Sequence, residues 1–260
     1  MQSVISPQYR QLLQQHQLAN FEQLWKFQGD WFEPPNRERG GWSGVNHIEL
    51  ADGTGKIHGF YLKRQQGHLR RSWRHPIAGE PTFIREFNIL KHLNKSAVKT
   101  PTIIFFGCER NKAILLTQAL TDFVAVDEWL NKHADASVSQ QNSLMRALAD
   151  AVRKLHLAGV QHRSLYLKHL FVKENPQNND LKRIDYEVAI IDFEKSRITA
   201  LIIWFRFSDL ITLYYRTPQL KLSNKLAFFK HYLGVSHLNS WQKLACCYIY
   251  YQSLKKSSTK

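Results

Sequence analysis

Four segments of the sequence carry side chains that together could transfer a phosphoryl group. Lys63 ends a strand-like segment, Glu86 lies in a segment with helical periodicity, and Asp192 follows a short apolar run. The fourth segment, His162 to His169, follows a long helical stretch. Transfer from ATP requires a lysine on the phosphates, a glutamate that fixes this lysine, an aspartate for Mg²⁺ and a loop that orients the acceptor hydroxyl. Because the transition state is loose, such a site acts mainly by positioning groups and neutralising charge.

Each of these residues, taken singly, also has an ordinary structural interpretation. Lys63 suits an exposed strand end, Glu86 suits the solvent side of a helix, and Asp192 suits a turn after a strand. His162 and His169 lie seven positions apart, without the closer spacing and further ligands of a zinc site. The order of the four segments, each on the element type that phosphoryl transfer needs, favours the combined interpretation.

The elements that must position these residues in the first half are predicted from periodicity. A short polar helix is expected within the first twenty residues. Five strands are predicted at residues 23–32, 42–50, 57–63, 103–106 and 113–116, with a turn at 34–41. Asp52 and Gly53 indicate a hairpin turn between the second and third strands. One helix is predicted over residues 81–93, because its large apolar residues recur at helical spacing.

The second half of the sequence is predicted to be mainly helical. Helices are expected at residues 126–132, 139–157, 205–215, 222–232 and 241–254, and short strands at 169–173 and 188–191. The chain is therefore predicted to be α+β, with a small antiparallel-sheet lobe at residues 1–118. This N-terminal lobe contains the short helix, the five-stranded sheet and one helix. A helical lobe at 119–260 carries the catalytic loop and the metal-binding strand end.

The composition predicts an anionic partner. The chain has 260 residues, with 36 lysines and arginines against 21 acidic residues, and a net charge of +15. Such an excess favours a phosphorylated lipid, an anionic membrane face, a nucleotide or a nucleic acid. The seven tryptophans fall mainly at apolar strand and helix positions, and the sequence carries no DNA- or RNA-binding signature. Nucleic acid is therefore not an expected partner.

Targeting signals and cysteines indicate a cytoplasmic protein. The first residues lack the apolar core of a signal peptide, and no apolar run reaches the length that spans a membrane. Cys108 stands alone, whereas Cys246 and Cys247 are adjacent. This pattern fits neither a disulfide framework nor a zinc site.

The order of the four segments and their local amino-acid sequences resemble those of the lipopolysaccharide kinase family (Kdo/WaaP group), whose fold is protein-kinase-like. Members of that family carry a motif similar to His-Arg-Asp-x-Tyr-x-x-His-Phe in the catalytic loop. Their metal-binding motif is similar to Ile-Asp followed by Leu or Phe, without the glycine that follows in ordinary kinases. This chain has His162-Arg-Ser-Leu-Tyr-Leu-Lys-His169 and Ile191-Asp-Phe-Glu194. The stretches 34–44, 60–65, 81–87 and 165–171 look like the InaA-like branch, and the resemblance covers roughly residues 25–215.

The resemblance implies a role for each chemical residue by its position. Lys63 would hold the phosphates of ATP, with Glu86 as its partner. Asp192 would bind Mg²⁺, and His169 stands where a typical kinase has its metal-binding asparagine. Asp209 would brace the catalytic loop from the next helix. A loop over the phosphates and a connector that meets adenine through its backbone complete the expected nucleotide site, with residues Asn36, Arg37, Gly40, Gly41, Gln118 and Leu120.

Ser164 departs from the family pattern, because it occupies the position of the catalytic aspartate. A serine cannot serve unaided as the base that accepts the acceptor's proton, and general-base catalysis typically contributes about 10²–10⁴-fold. Two hypotheses follow. Either the site is slow or uses another base, such as Glu194 or a neighbouring histidine, or the domain binds nucleotide or lipid without transferring phosphate.

The function implied by the resemblance is ATP- and Mg²⁺-dependent phosphorylation of a sugar hydroxyl in the lipopolysaccharide core, or of another anionic glycolipid. The reaction would take place at the cytoplasmic face of the inner membrane, with possible peripheral membrane contact. One alternative is a pseudokinase that kept the fold as a binding module. A second is a basic membrane-surface adaptor, which rests on charge alone. The sequence specifies neither the acceptor nor the oligomeric state, and the last forty or so residues carry no recognisable motif.

Overall fold

The computed structural model describes residues 2–37, 40–67, 69–72, 75–175, 185–215, 217 and 220–258. The chain divides into two compact units. The first unit comprises Met1–Lys91 and Pro101–Thr121, and the second comprises His92–Thr100 and Asp122–Lys260. The family resemblance predicted a protein-kinase-like α+β fold, and the structure has an antiparallel sheet in the first unit and mainly helices in the second.

The first unit is built on a six-stranded antiparallel sheet with the strand order β1-β7-β8-β4-β3-β2. Strands β5 and β6 form a separate antiparallel pair. The strands are β1 (Gln2–Ile5), β2 (Trp31–Asn36), β3 (Trp42–Ala51), β4 (Ile57–Gln66), β5 (Leu69–Ser72), β6 (His75–Pro81), β7 (Ile103–Glu109) and β8 (Lys112–Gln118). Its helices are a 3₁₀ turn at Pro7–Tyr9, α1 (Arg10–Gln15), α2 (Phe21–Trp25) and α3 (Thr82–Leu93), whose last two residues belong to the second unit.

The turn between β3 and β4 sets the register of the strand that carries Lys63. The Oδ1 atom of Asp52 accepts hydrogen bonds from the backbone amides of Thr54 at 2.9 Å and Lys56 at 3.1 Å. An aspartate at this turn position satisfies backbone donors that the reversal leaves without strand partners. The ladder then pairs Lys63 with Val45 on β3 and with Leu115 on β8.

Side chains of β4 alternate between two apolar layers. Phe60 and Leu62 are buried on the face covered by the 3₁₀ turn, α1 and α2. The intervening residues point to the other face, where Gln65 caps the start of α3. The Oε1 atom of Gln65 accepts hydrogen bonds from the Thr82 hydroxyl and the Phe83 amide, at 2.9 and 3.0 Å. A strand side chain therefore fixes the N-terminus of the helix that bears Glu86.

The second unit consists mainly of helices, with short strands between them. The helices are α4 (Val126–Lys132), α5 (Val138–Leu157), α6 (Ile202–Tyr215), α7 (Leu222–Leu233) and α8 (Ser240–Ser258). The strands are β9 (Val124–Ala125), β10 (Val160–Gln161), β11 (Leu170–Asn175), β12 (Asp185–Ile190) and β13 (Arg197–Ile198), and a 3₁₀ turn lies at Leu167–His169. Strands β12, β11 and β9 form one sheet, and β10 pairs with β13.

The long helix α5 organises this unit. Ser137 and Gln140 form a capping box at its start, since each side chain bonds the other residue's backbone amide. The helix packs on α7 and on β12. Its buried residues recur at helical spacing, as the sequence predicted, and include Leu144, Leu148, Val152 and Leu155.

The first unit differs from the expectation in three details. The expected short helix is α1, but strand β1 precedes it and raises the sheet from the five predicted strands to six. Residues 23–25, predicted as the start of the first strand, belong to α2. Pro34 and Pro35 lie in strand β2 and not in a turn. Strand β2 is at the sheet edge, where a proline without an amide hydrogen costs no ladder bond.

Candidate functional site

Lys63 and Glu86 form an ion pair inside the first unit. The Nζ atom of Lys63 lies 2.7 Å from the Oε1 atom of Glu86, with Glu86 buried and Lys63 partly exposed. The pairing partner expected for Lys63 is therefore in contact with it. A buried carboxylate stays ionised only with such a partner, so the pair holds the lysine head at a fixed place above the sheet. A fixed cation of this kind can bind the oxygens of a phosphate.

The next residue on β4, Arg64, points to the opposite face and is buried there. Its guanidinium donates to the carbonyls of Trp25 at 2.7 Å and Phe27 at 2.9 Å, and to the Asn46 side chain at 2.8 Å. It also lies 4.8 Å from the ring centroid of Trp31. Arg64 therefore joins the N-terminal helices to the sheet, and burial lowers the pKa of its side chain.

Arg37, Gly40 and Gly41 open onto a cleft of about 530 Å³ that Trp31 and Trp42 also line. Trp31 contacts Arg64, so the aromatic wall of this cleft belongs to the face opposite Lys63. The structure thus brings three of the four expected phosphate-loop residues to one cleft. Asn36 ends strand β2 beside it and pairs with Ser43.

The connector at Gln118 to Leu120 follows the last strand of the sheet. The amide of Gln118 donates to the Thr102 carbonyl and that of Ala119 donates to the Gly59 carbonyl, both at 2.9 Å. Gly59 permits this approach, because a Cβ atom there would lie 3.1 Å from the Cβ of Ala119. The amides of Gln118 and Ala119 therefore anchor the connector and are committed to the protein.

In the second unit, Asp209 on α6 braces the loop of residues 162–169, the expected catalytic loop. Its Oδ2 atom accepts from the His162 amide at 2.7 Å, and its Oδ1 atom accepts from the Arg163 amide at 2.8 Å. Asp209 is fully buried, and the Nε2 atom of His156 lies 3.2 Å from its Oδ2 atom. The predicted contact between this aspartate and the loop is confirmed. Two backbone amides and one imidazole offset the cost of burying the charge.

Two residues of the site adopt backbone conformations that side chains rarely take. Arg163 has φ = 67° and Asp192 has φ = 64°. A left-handed conformation outside glycine costs on the order of 1–3 kcal/mol and persists only when neighbouring contacts enforce it. For Arg163, the enforcing contact is the bond from its amide to Asp209. Both residues therefore lie at places where the fold maintains strain.

His162 connects the catalytic loop to the strand end that carries Asp192. Its Nε2 atom donates to the carbonyl of Ile191 at 3.0 Å. Burial lowers the pKa of this imidazole, although the nearby charge of Asp209 opposes the shift. The ring is therefore neutral near pH 7, with its proton on the nitrogen that faces the carbonyl. Its contribution is to position the loop.

His169 connects Ser164 to Asp192. Its Nδ1 atom donates to the Ser164 carbonyl at 2.8 Å, and its Nε2 atom lies 3.2 Å from Oδ2 of Asp192. Burial lowers the pKa of His169, although the charge of Asp192 acts in the opposite direction. In the neutral ring the Nδ1 proton is committed to the carbonyl, which leaves the Nε2 lone pair beside a carboxylate oxygen. This donor set fits a divalent cation: the oxygen suits Mg²⁺, and the nitrogen also suits transition metals.

Ser164 itself is buried within this loop. The structure brings its backbone together with His162, His169 and Asp192 in the second unit, whereas Lys63 and Glu86 belong to the first unit. Within the described residues, no group of three or more histidine, cysteine, aspartate or glutamate side chains could hold a metal ion. Any cation at Asp192 and His169 would therefore complete its coordination with water or ligand oxygens.

Sequence reasoning missed the residues that support the site from behind. His156 lies between Asp209 and Tyr232, with its Nδ1 atom 2.7 Å from the Tyr232 hydroxyl. Gln65 was also missed as the cap of α3. Position in the strand gave no signal for Gln65. For His156, its place on the buried stripe of α5 indicated that a polar network crosses this core.

Comparisons with known proteins identify the family of this chain. Residues 22–232 match the lipopolysaccharide kinase (Kdo/WaaP) family. The protein InaA of Escherichia coli (strain K12) is 33% identical over 183 residues, which cover 68% of this chain and 78% of InaA. The lipopolysaccharide core heptose(I) kinase WaaP of Escherichia coli is 26% identical over 222 residues, or 79% of this chain and 77% of that protein.

A solved structure shares the fold. The structure of WaaP in complex with acyl carrier protein has a TM-score of 0.71 and 19% sequence identity, and the match covers 100% of this chain and 99% of that one. At this identity the match establishes the protein-kinase-like fold. Among the described helices, none is long and apolar enough to cross a membrane.

Proposed function

Because the chain belongs to the lipopolysaccharide kinase (Kdo/WaaP) family, we propose that it is an ATP-dependent phosphotransferase that phosphorylates a sugar hydroxyl of the lipopolysaccharide core type. One observation carries the proposal. The fold builds a lysine paired with a buried glutamate in one unit and, in the other, a braced loop whose histidine contacts a strand-end aspartate. Phosphoryl transfer needs a lysine on a strand, a glutamate on a helix, a loop that orients the acceptor and an aspartate at a strand end, and the fold supplies these elements.

In the first unit, Lys63 would bind the α- and β-phosphates through its ammonium group, and Glu86 would hold that group in place. The aromatic wall beside Asn36, Arg37, Gly40 and Gly41 lies on the face opposite Lys63, so the proposed cover over the phosphates would come from the backbone of this segment. The connector would bind adenine through the backbone of Gln118 and Leu120. The amides of Gln118 and Ala119 already serve the sheet, so the Gln118 carbonyl and the Leu120 backbone are the groups proposed for adenine.

In the second unit, Asp192 and His169 would hold a divalent cation, for which Mg²⁺ is the proposed ion. When bound, such a cation neutralises the charge that develops on the transferring phosphoryl group. His169 fixes the carbonyl of Ser164 while it faces Asp192, so one imidazole sets the distance between the loop and the metal site. His162 and Asp209 keep the loop in its strained conformation.

Ser164 would orient the acceptor hydroxyl through its own hydroxyl, but it cannot take the acceptor's proton as a carboxylate would. Positioning and charge neutralisation remain, so the proposed reaction is slow and not absent. The same observation supports a second candidate function, a pseudokinase that binds nucleotide without transfer. Ser164 distinguishes the two only through an assay of turnover.

We propose an anionic glycolipid of the lipopolysaccharide type as the acceptor, which would place the reaction at the cytoplasmic face of the inner membrane. The net charge of +15 supports an anionic partner of this kind.

Thermal unfolding with and without ATP and Mg²⁺ tests the nucleotide site. Ligand at a hundred times its dissociation constant stabilises a folded protein by about 2.7 kcal/mol. We expect this shift in the wild type and its loss in Lys63→Ala and in Asp192→Ala. Replacing Mg²⁺ with Mn²⁺ tests the ion, because an imidazole ligand favours the transition metal.

Lys26→Ala is the matched control, since Lys26 is an exposed lysine of the same unit whose partner is Glu22. It should retain the full shift. Transfer of the γ-phosphate to core-sugar acceptors is then measured for wild type and Asp192→Ala. Binding without transfer above the Asp192→Ala background would exclude the phosphotransferase in favour of the pseudokinase, and absence of any shift in folded wild type would exclude both.

A further inference from the structure

Helix α8 carries large apolar side chains on its outward face. Trp241, Leu244, Tyr248, Tyr251 and Leu254 are between 48% and 82% exposed. Their spacing of three or four positions places them along one side of the helix. At 1.5 Å per residue this side extends over roughly 20 Å. These five residues are called the α8 stripe.

The opposite side of α8 packs against the rest of the second unit. Ile249 and Ser253 are buried, and the helix packs on α6. A surface helix normally places apolar residues toward the core and polar residues toward water. Helix α5 follows that rule over most of its length, with Leu144, Leu148, Val152 and Leu155 turned inward. In α8 both sides are apolar, so packing within the unit does not account for the stripe.

The stripe is accompanied by positive charge. Helix α8 contains no acidic residue, and Lys243, Lys255 and Lys256 are exposed on it. The Nζ atom of Lys255 lies 4.8 Å from the ring centroid of Tyr251. From residue 201 to the end, the sequence has a single acidic residue, Asp209, which is fully buried. Over the same span it has nine basic residues: Arg206, Arg216, Lys221, Lys225, Lys230, Lys243, Lys255, Lys256 and Lys260.

We propose that the α8 stripe binds the surface of an anionic lipid bilayer, with the helix lying in the plane of the interface. Tryptophan and tyrosine rings sit at the headgroup level, with an apolar body toward the acyl chains and a polar edge toward water. Lysine stems extend along the apolar layer while their ammonium groups reach lipid phosphates. The stripe combines these residue types on one helix side without an exposed carboxylate to repel the lipid.

An anionic bilayer matches the stripe better than an acidic protein does. The apolar residues form a line of separate aromatic and aliphatic side chains along one helix, flanked by lysines at 243 and 256. A fluid interface can accept such a line without complementary pockets, and its charge is spread evenly beneath the lysines. This inference rests on α8 alone and holds whether or not the chain transfers phosphate.

Co-sedimentation of the full-length protein with vesicles tests the proposal. The probe is phosphatidylcholine vesicles with and without phosphatidylglycerol, at low and high salt. We expect binding that requires phosphatidylglycerol and weakens as salt rises. The double variant Trp241→Ser/Leu244→Ser should bind at least about tenfold more weakly, because it removes the most exposed part of the apolar contact.

Charge and apolar contact are separated by two further variants. Lys255→Gln/Lys256→Gln should weaken binding by about fivefold per lysine and reduce the salt dependence. Ile57→Ser is the control, because Ile57 is 64% exposed in the β3–β4 hairpin of the other unit. It should bind vesicles as the wild type does. All variants should keep the thermal midpoint of the wild type, since none of these side chains is buried.

Several outcomes would overturn the proposal. Equal loss of vesicle binding in Ile57→Ser and in the stripe variant would show that the stripe is not the binding surface. Wild-type binding that does not depend on phosphatidylglycerol would contradict the proposed preference for anionic lipid. A concentration-dependent dimer in light scattering that disappears in the stripe variant, with no vesicle binding, would assign the stripe to a second copy of the chain. Salt-sensitive binding to an acidic protein in place of vesicles would assign it to a protein partner.

Discussion

The two polar clusters of this protein are held in place by different means. In the first unit, a 2.7 Å ion pair between Lys63 and Glu86 fixes the lysine that is proposed to bind phosphate. In the second, Asp209 holds the backbone of the catalytic loop through two amides, and His162 and His169 join that loop to the Asp192 strand end. One cluster depends on a side-chain contact, whereas the other depends on a buried network.

This difference shows where the chain departs from an ordinary phosphotransferase. The network of the second unit retains a buried charge and two strained residues, each of which costs stability. That network holds the loop in shape around Ser164, which has no carboxylate. In the proposed site, the contacts that would position the acceptor are therefore present without a carboxylate base. The comparison yields three predictions, from the largest effect to the smallest.

Restoring a carboxylate at Ser164 should have the largest effect. The loop around this residue is already braced, so Ser164→Asp should raise phosphoryl transfer by about 10²–10⁴-fold, the usual contribution of a general base. The measurement is the initial rate of transfer to a core-sugar acceptor at saturating ATP.

Ser164→Asn is the control for this change, because it has the same size as aspartate without a base. It should leave the rate near that of the wild type. If both variants transfer equally well, the serine was limiting through its size, and if neither transfers above background, more than the base is missing.

Removing the brace should have the next largest effect. Asp209→Ala leaves the amides of His162 and Arg163 without their acceptor and His156 without its neighbour. Breaking such a buried charged network typically costs about 3–5 kcal/mol. The free energy of unfolding from urea titration measures the loss. Asp150→Ala is the control, since its pair with Lys154 on the same helix is half-exposed, and its cost should stay within about 0.5 kcal/mol.

Adjacent residues on β4 should separate stability from nucleotide binding. Arg64→Met removes the donor from two buried carbonyls and the Asn46 side chain, and should cost about 2–3 kcal/mol of stability while the remaining folded protein still binds nucleotide. Lys63→Met removes the ammonium group from the buried Glu86 carboxylate, so it should also lower stability, and it should abolish the shift caused by ATP and Mg²⁺. Urea titration and thermal shift measure the two effects. Loss of the shift in folded Arg64→Met, or its retention in folded Lys63→Met, would contradict the assignment of the two faces.

The parts of the fold that the sequence predicted are those with strong local periodicity. The predicted bounds of α4 match, and those of α5 and α7 agree within a residue, because apolar residues recur at helical spacing. Strand β1 was missed because its pairing with β7 joins residues about a hundred positions apart, such as Gln2 and Cys108. Helix α2 was missed because its aromatic residues suit either structure, although Asn20 caps it.

For the site, the residues named from the sequence remain proposals, and the structure shows which of them are in contact. The family resemblance implied the pairing of Lys63 with Glu86 and the bracing of the loop by Asp209, and both contacts are present. That His169 joins the Ser164 carbonyl to Asp192 depends on the path of the loop, which no spacing rule specifies. The aromatic cleft beside Arg37 was not predicted either. Strand β2 forms one side of it, and the prolines of this strand had led to the prediction of a turn.

The anchoring of the N-terminal helices by Arg64 has a consequence for how short the chain can be made. None of the proposed site residues lies before β2, so a truncation to the segments that contain those residues would remove the N-terminal helices. Yet Leu13 and Leu24 are fully buried against the sheet, and the carbonyls of Trp25 and Phe27 are the acceptors of the Arg64 guanidinium. A truncated chain would expose Phe60 and Leu62. It would also leave the Arg64 guanidinium beside Trp31 without the two carbonyls that accept its hydrogen bonds. The smallest portion that folds autonomously is therefore larger than the portion that carries the chemistry.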